Sequence, residues 1–423
     1  MEASTKQGTS LLHNKVYVRV YSAFATASFG DWFDTLAVQV LVGYRWQVSP
    51  LMLALIPVAI ALPNILLGSL AGVAADRLNK LKLMRVCDLL TAFLTVLLLF
   101  APNMAWLLPL LALRSAISTV NMPAQQSLTR SIVREDQLLQ ASSLNGLVNQ
   151  SSKIAGPLLG GLALTLLTPQ WCILLNALLR GCSYLLLLSV RNIRTEEKLM
   201  PEVPEEHIPL RTMWKEGWSF LLGSRLLLNL MLFGLTGSLA IQVIDFQFTS
   251  LFRVFSPTGE SVLGWMVAAS GVGAVMIILI LGKLGEVVSS TLRISMGYVL
   301  IGGSVAGLGL LQPGSSVVWV LLLGFVLGIG NGTAAVAFNY MLQKETPPHM
   351  TGRVFGIQTT VLSAVMIIAP LMGGLLVEFS GPGRIFLIFG LLQVILGLTG
   401  ILFGRVLWRE NKQVQASKVE QAS

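Results

Sequence analysis

Charge is the scarcest property of this 423-residue chain. Asp, Glu, Lys and Arg make up 12% of it, about half of the roughly 25% usual in soluble proteins. Hydrophobic residues make up 54% and the mean hydropathy is +0.74. So little solvating charge excludes a soluble enzyme, a disordered regulator and a nucleic-acid binder. The three cysteines, Cys87, Cys172 and Cys182, lie within or beside apolar runs, which argues against a disulfide scaffold. The three histidines, His13, His207 and His349, all fall in polar segments, so an intramembrane histidine metal or haem site is excluded. No Gly-x-x-x-x-Gly-Lys-[Ser/Thr] loop is present to hold ATP. No pore-loop or repeated filter segment is visible, and no nucleophile with a base lies in an apolar run. The chain is therefore expected to be neither an enzyme nor a channel, and to use no bound cofactor or metal.

What is present is a series of apolar runs. A bilayer-spanning helix needs about 20 mostly apolar residues, and twelve such runs are centred near Ala27, Ala61, Thr91, Leu113, Lys153, Leu179, Leu235, Ser270, Leu300, Phe325, Ile367 and Leu392. The first, Tyr17 to Val42, is too long for a cleavable signal and lacks a small-residue cleavage pattern. The fold class expected is an all-α membrane protein of twelve transmembrane helices.

The net charge of +9 orients the bundle. With the N-terminus inside, the cytoplasmic loops hold Arg77, Lys80, Lys82 and Arg85, then Arg130 and Arg134, Lys283 and Arg293, Lys344 and Arg353. The opposite face holds only Arg45, Arg253 and Arg384. This asymmetry follows the positive-inside rule and places both termini in the cytoplasm. The longest polar stretch carries Pro201, Glu202, Pro204, Glu205 and Glu206 and divides the spans six and six. The organisation expected is a tail over 1–16, a six-helix bundle over 17–190, a linker over 191–215, a second bundle over 216–408 and a tail over 409–423.

Six-plus-six invites a search for self-similarity. Gly156-Pro157-Leu158-Leu159-Gly160-Gly161-Leu162 recurs as Ala369-Pro370-Leu371-Met372-Gly373-Gly374-Leu375, with five of seven positions matching at an offset of 213. A fainter echo links Gly72 and Asp76 with Gly282 and Glu286. Parallel repeats about an axis along the membrane normal imply two halves with a site near the midplane, one half rocking against the other.

The loop after the second span reads Gly72-Val73-Ala74-Ala75-Asp76-Arg77-Leu78-Asn79-Lys80-Leu81-Lys82. Gly72 permits close helix approach, Asp76 can accept from backbone N–H groups or an arginine, and Arg77 and Lys80 face the anionic leaflet. Together they suit a conformational latch. This stretch resembles the G-x-x-x-D-R-x-x-[RK]-[RK] signature of the major facilitator superfamily, with Asn79 where Gly is usual and Leu81 inside the basic pair. Asn121-Met122-Pro123-Ala124-Gln125-Gln126, with Leu138 to Gly161, is similar to the macrolide-efflux and enterobactin-exporter branch. The resemblance spans Tyr17 to Trp408. It implies a twelve-helix secondary exporter, driven by a proton gradient, with drug-like or siderophore-like cargo.

Ionisable groups in lipid cost a few kcal/mol each and normally face a cavity or a partner. Here they are Asp31, Asp34, Arg114, Lys153, Arg180 and Asp245. Asp31 and Asp34, at i and i+3, share a face; at 1.5 Å per residue from Tyr17 they lie about 20 and 25 Å deep, with Lys153 at comparable depth. By the resemblance, the first and fifth spans line one path, so Lys153 is expected to pair with Asp31. Two close carboxylates resist ionising together, which suits proton exchange. Adding the repeat offset to Asp31 gives 244, next to Asp245 of the seventh span. Arg114 occupies the span where antiporters of the superfamily often carry a functional arginine, although Ser118 and Thr119 follow instead of the family's Gly; a purely structural ion pair is the alternative. Arg180 suits capping of a neighbour's carbonyls, and Asp88 and Asp136 read as solvated or latch-supporting.

Asn145, Asn149 and Ser152 form a polar face on the fifth span, which suits a water-lined path because hydrocarbon cannot satisfy amides. Trp32, Phe33, Phe246 and Phe248 suit either an apolar drug site or an interfacial belt. Gly156-Pro157 and Pro370 interrupt their helices, for gating or for close packing. The expected roles are proton coupling by Asp31, Asp34, Arg114 and Asp245; substrate binding by Asp31, Asp34, Asn145, Asn149, Lys153 and Asp245; latching by Gly72, Asp76, Arg77 and Lys80; and gating by Gly156, Pro157 and Pro370. The partners expected are a small-molecule substrate, protons and membrane lipids, with no nucleic acid. The chain is expected to work as a monomer in a bacterial inner or plasma membrane, exporting drug-like amphipathic compounds or, alternatively, a siderophore or lipid.

Overall fold

The computed structural model describes residues 11–134, 137–190, 210–255, 260–284, 289–347 and 350–408. Among them the regular elements are helical. Six long helices, α1 (Lys15–Val40), α2 (Pro50–Arg77), α3 (Lys80–Leu98), α4 (Met104–Ile132), α5 (Leu138–Leu166) and α6 (Pro169–Leu188), precede the linker. After it come α7 (Leu210–Gly223), α8 (Arg225–Asp245), the short α9 (Phe248–Phe255), α10 (Glu260–Leu284), α11 (Ser290–Leu310), α12 (Val317–Glu345), α13 (Thr351–Ser380), α14 (Pro382–Leu402) and α15 (Gly404–Leu407). A π-helical turn, Leu41–Arg45, continues α1.

Helix starts follow local chemistry. The Asn79 side chain accepts from Lys82 N at 3.0 Å and caps α3, supplying an acceptor for an orphan N–H. This accounts for an asparagine where the signature usually has glycine. Asn103 caps α4 and Ser316 caps α12 in the same way. Pro169 and Pro382 open α6 and α14, where a missing N–H costs nothing.

Nine helices among the described residues are long and apolar enough to cross a membrane, and their outward residues, such as Leu66, Phe379 and Leu402, are apolar and exposed. The long helices that fall short are α1, α3 and α5. The first two carry Asp31, Asp34 and Asp88 among their basic residues, and the third carries Asn145, Asn149 and Lys153. A charged interior face lowers mean hydropathy without preventing a crossing, because it need not meet lipid.

The chain forms two compact units, Met1–Val38 with Ala59–Lys198, and Gln39–Val58 with Leu199–Ser423. In the first, Val20, Ala23, Leu81, Met84, Ala124, Leu128 and Leu187 bring α1, α3, α4 and α6 together. The Arg85 guanidinium closes the end of α6 by donating to Leu187 O (2.9 Å) and Val190 O (2.6 Å). In the second, the hairpin 39–58 is held by Arg253, whose Nη1 donates to Gly43 O (3.1 Å) and Val48 O (3.0 Å), and by buried Gln247, whose Nε2 donates to Pro50 O (3.0 Å).

The internal repeat has a structural counterpart. A Cβ at Gly160 of α5 would lie 2.8 Å from the Trp32 carbonyl oxygen of α1, and one at Gly373 of α13 would collide with the Val243 carbonyl of α8. In each unit the first glycine of the Gly-Gly pair lets the helix of the fifth span of that half lie directly on that of its first. Both motif prolines sit inside continuous helices, Pro157 in α5 and Pro370 in α13. The expected interruptions are therefore absent, and the glycines beside them are packing positions.

Candidate functional site

Two cavities, one in each unit, divide the site chemistry. In the first unit, Arg180 projects from α6 and donates through Nη2 to both carboxylate oxygens of Asp31, at 2.7 and 2.6 Å. Its Nη1 lies 3.1 Å from Asp88 Oδ1 on α3. Asp88 also accepts from Asn121 Nδ2 of α4 at 2.9 Å and from Ser183 Oγ of α6 at 2.5 Å. Arg114 of α4 pairs with Asp34 and lies 3.4 Å from Thr95 Oγ1 of α3. Four helices thus converge on three carboxylates and two guanidiniums. With every group ionised the cluster carries one negative charge in excess.

Burial separates the three acids. The Asp34 side chain is fully buried and that of Asp88 is 1% exposed, whereas that of Asp31 is 45% exposed. Asp31 is the member that reaches solvent. It borders a cavity of about 120 Å³ together with Ser28, Asp88, Ser118, Asn121 and Arg180. That volume holds several water molecules and falls short of the 300–1,000 Å³ typical of small-molecule sites.

Several sequence expectations change here. Arg180, and not Lys153, is the partner of Asp31, because α6 brings its guanidinium onto the carboxylate; Lys153 is exposed on α5 and has no ion-pair partner among the described residues. Asp31 and Asp34 each hold their own guanidinium. Asp88 is buried in the network, not solvated. Asn145 and Asn149 are half-buried, Asn145 Nδ2 reaching Thr129 Oγ1 of α4 at 3.4 Å, and Ser152 is buried. Asp245 ends α8 in an exposed position. Of the aromatics, Trp32 lies beneath Gly156 and is half-buried like Phe33, Phe246 is buried, and Phe248 packs edge-on against Phe386 at 5.0 Å between ring centres. Of the latch, Lys80 is half-buried; the side chains of Gly72, Asp76 and Arg77 lie outside the described residues, as does Asp136.

The second cavity, about 310 Å³, lies within the second unit, among α7, α8, α11, α12 and α13. None of the expected substrate-binding residues lines it. Asn331, Ala335, Phe338 and Asn339 face it from α12 at helical spacing. Two amides on one face of an apolar run were the readable signal for this site.

The model of the Major Facilitator Superfamily matches residues 20–370. The chain belongs to the major facilitator superfamily. It is similar to the MFS-type transporter YfiS of Bacillus subtilis, with 29% identity covering 89% of this chain and 90% of YfiS. The multidrug efflux pump Tap of Mycolicibacterium fortuitum is 26% identical over 95% of this chain and 97% of its own length. The enterobactin exporter EntS of Shigella boydii is 27% identical over 66% of each chain. Among solved structures, a variant of the nucleoside transporter NupG matches with a TM-score of 0.70, 13% identity and coverage of 92% and 99%. A bacterial homologue of the lysosomal transporter Spinster gives 0.68, 12%, and 94% and 98%. The fold is that of the superfamily, and the chain is a multi-pass membrane transporter of small molecules, not an enzyme.

Proposed function

We propose that this transporter is a proton-coupled exporter of drug-like amphipathic compounds, working by alternating access in a bacterial inner membrane with both termini in the cytoplasm. The observation that carries the reading is the network of three carboxylates and two guanidiniums, one acid in excess, that meets solvent at Asp31. A proton arriving at Asp31 neutralises the excess charge and weakens the two-oxygen pairing with Arg180, which keeps Asp88 as its remaining carboxylate partner. An ion pair that is remade whenever the proton leaves can bias a bistable bundle. Asp34, Arg114 and Asp245 complete the proposed coupling set; Asn145, Asn149 and Lys153 serve a polar path; Gly72, Asp76, Arg77 and Lys80 act as the latch, and Gly156, Pro157 and Pro370 gate through the packing of the continuous α5 and α13. The similarity to the multidrug efflux pump Tap supports efflux of drugs. Export of a siderophore, suggested by the similarity to EntS, is the weaker reading, because among the described residues no Lys or Arg lines the larger cavity to hold an anionic cargo.

The test uses the purified protein in proteoliposomes with an imposed pH gradient. Asp31→Asn is expected to lower gradient-driven drug flux by about tenfold or more, as expected for loss of an intramembrane acid, while insertion and downhill exchange persist. Gradient-driven flux equal to that of the wild type overturns the coupling role.

A further inference from the structure

The larger cavity combines an apolar wall with unspent hydrogen-bonding capacity and no charge. Trp218, Tyr298 and Phe338 give aromatic surface, while Ser238, Asn331 and Gln358 supply the polarity. The side chains of these three polar residues make no hydrogen bond to other described residues. No Asp, Glu, Lys, Arg or His is among the described residues of the lining. All three are half-buried, so an occupant that displaces water from them is favoured when it brings donors and acceptors of its own.

We propose that this cavity is a cargo site selective for uncharged amphipathic molecules, compounds with an aromatic or aliphatic body bearing hydroxyl, amide or carbonyl groups. This rests on the export reading above and narrows its cargo. Placing a permanent cation here removes its hydration with no carboxylate in the lining to replace it. Cation–π contact with the rings returns only part of that loss. The volume sits at the lower end of the range for small-ligand pockets, which suits one compact molecule bound largely out of water. Cargo and proton then occupy different units: the charged network keeps its stoichiometry whether or not the neutral molecule is bound.

The test is equilibrium binding to the full-length protein in detergent, without any gradient, so that a failure of proton coupling leaves it untouched. Chloramphenicol serves as the uncharged probe and tetraphenylphosphonium as a permanent cation of similar bulk. The wild type is expected to bind chloramphenicol about tenfold more tightly or better. Phe338→Ala should weaken chloramphenicol binding several-fold, and Asn331→Asp should move the preference toward the cation by about tenfold. Ser238→Asp, on the facing helix, repeats that arm should Asn331→Asp fail to give a monodisperse protein. Equal or tighter binding of tetraphenylphosphonium to the wild type, no measurable binding of chloramphenicol, or an unchanged preference in the folded aspartate variants each overturns the proposal.

Discussion

At the residue scale, buried charge is the most demanding feature of this protein, because Asp34, Asp88, Arg114 and Arg180 are each tolerated only through their partners. The Asp34–Arg114 pair makes this testable. Arg114→Ala leaves a fully buried carboxylate without its guanidinium, which costs about 3–5 kcal/mol when a buried pair is broken from one side. Thermal unfolding in detergent should show a marked loss for Arg114→Ala and a partial recovery when Asp34→Asn is added. An Arg114→Ala protein as stable as the wild type would exclude a structural role for the pair. Asp31, Asp34, Arg114 and Arg180 were legible in the sequence because lipid makes such residues rare. Their pairing was not, since it depends on the rotation of four helices about their own axes. Asp88 stayed hidden because Lys80, Lys82 and Arg85 precede it and make the helix start look like solvated loop. Arg85 itself spends its guanidinium on the carbonyls that end α6.

Individual helices show what composition can and cannot convey. The long apolar runs marked out the spans, and the two copies of the proline-glycine motif marked equivalent helices in the two halves. What the motif does locally follows from its glycines. Replacing Gly160 by Leu, or Gly373 by Leu, should force apart α1 and α5 or α8 and α13, at about 1–3 kcal/mol for overpacking, and lower the unfolding temperature and the yield of folded protein. Leu159→Val, at a position 39% exposed beside the first of these sites, serves as the control and should leave both unchanged. Wild-type stability in the leucine variants would mean that the helices do not meet there. The short α9 was less legible: the sequence marks only Arg253 there, as a loop charge, whereas Phe248–Phe255 forms a helix in which Phe252 and Phe255 pack edge-on.

For the molecule as a whole, the sequence repeat and the compact units divide the chain differently. The repeat places the boundary in the polar linker, whereas the second unit includes Gln39–Val58 from the first half of the sequence. Buried Gln247, Arg253 and the glycine pair at the end of the second motif copy hold that hairpin, with a Cβ at Gly374 coming within 2.9 Å of Ala54 Cβ. Charge asymmetry and hydropathy carry no information about such an exchange, because Arg253 and Gln247 act there through backbone carbonyls and the rest of the contact is made by small residues. It follows that severing the polypeptide between 191 and 209 produces two pieces of unequal independence. The piece starting at Leu210 lacks the segment that fills its own packing and should aggregate when synthesised alone. Supplying residues 1–190 in the same cell should restore a soluble, co-purifying pair in detergent; a monodisperse carboxy-terminal piece made alone would show that the borrowed hairpin is dispensable.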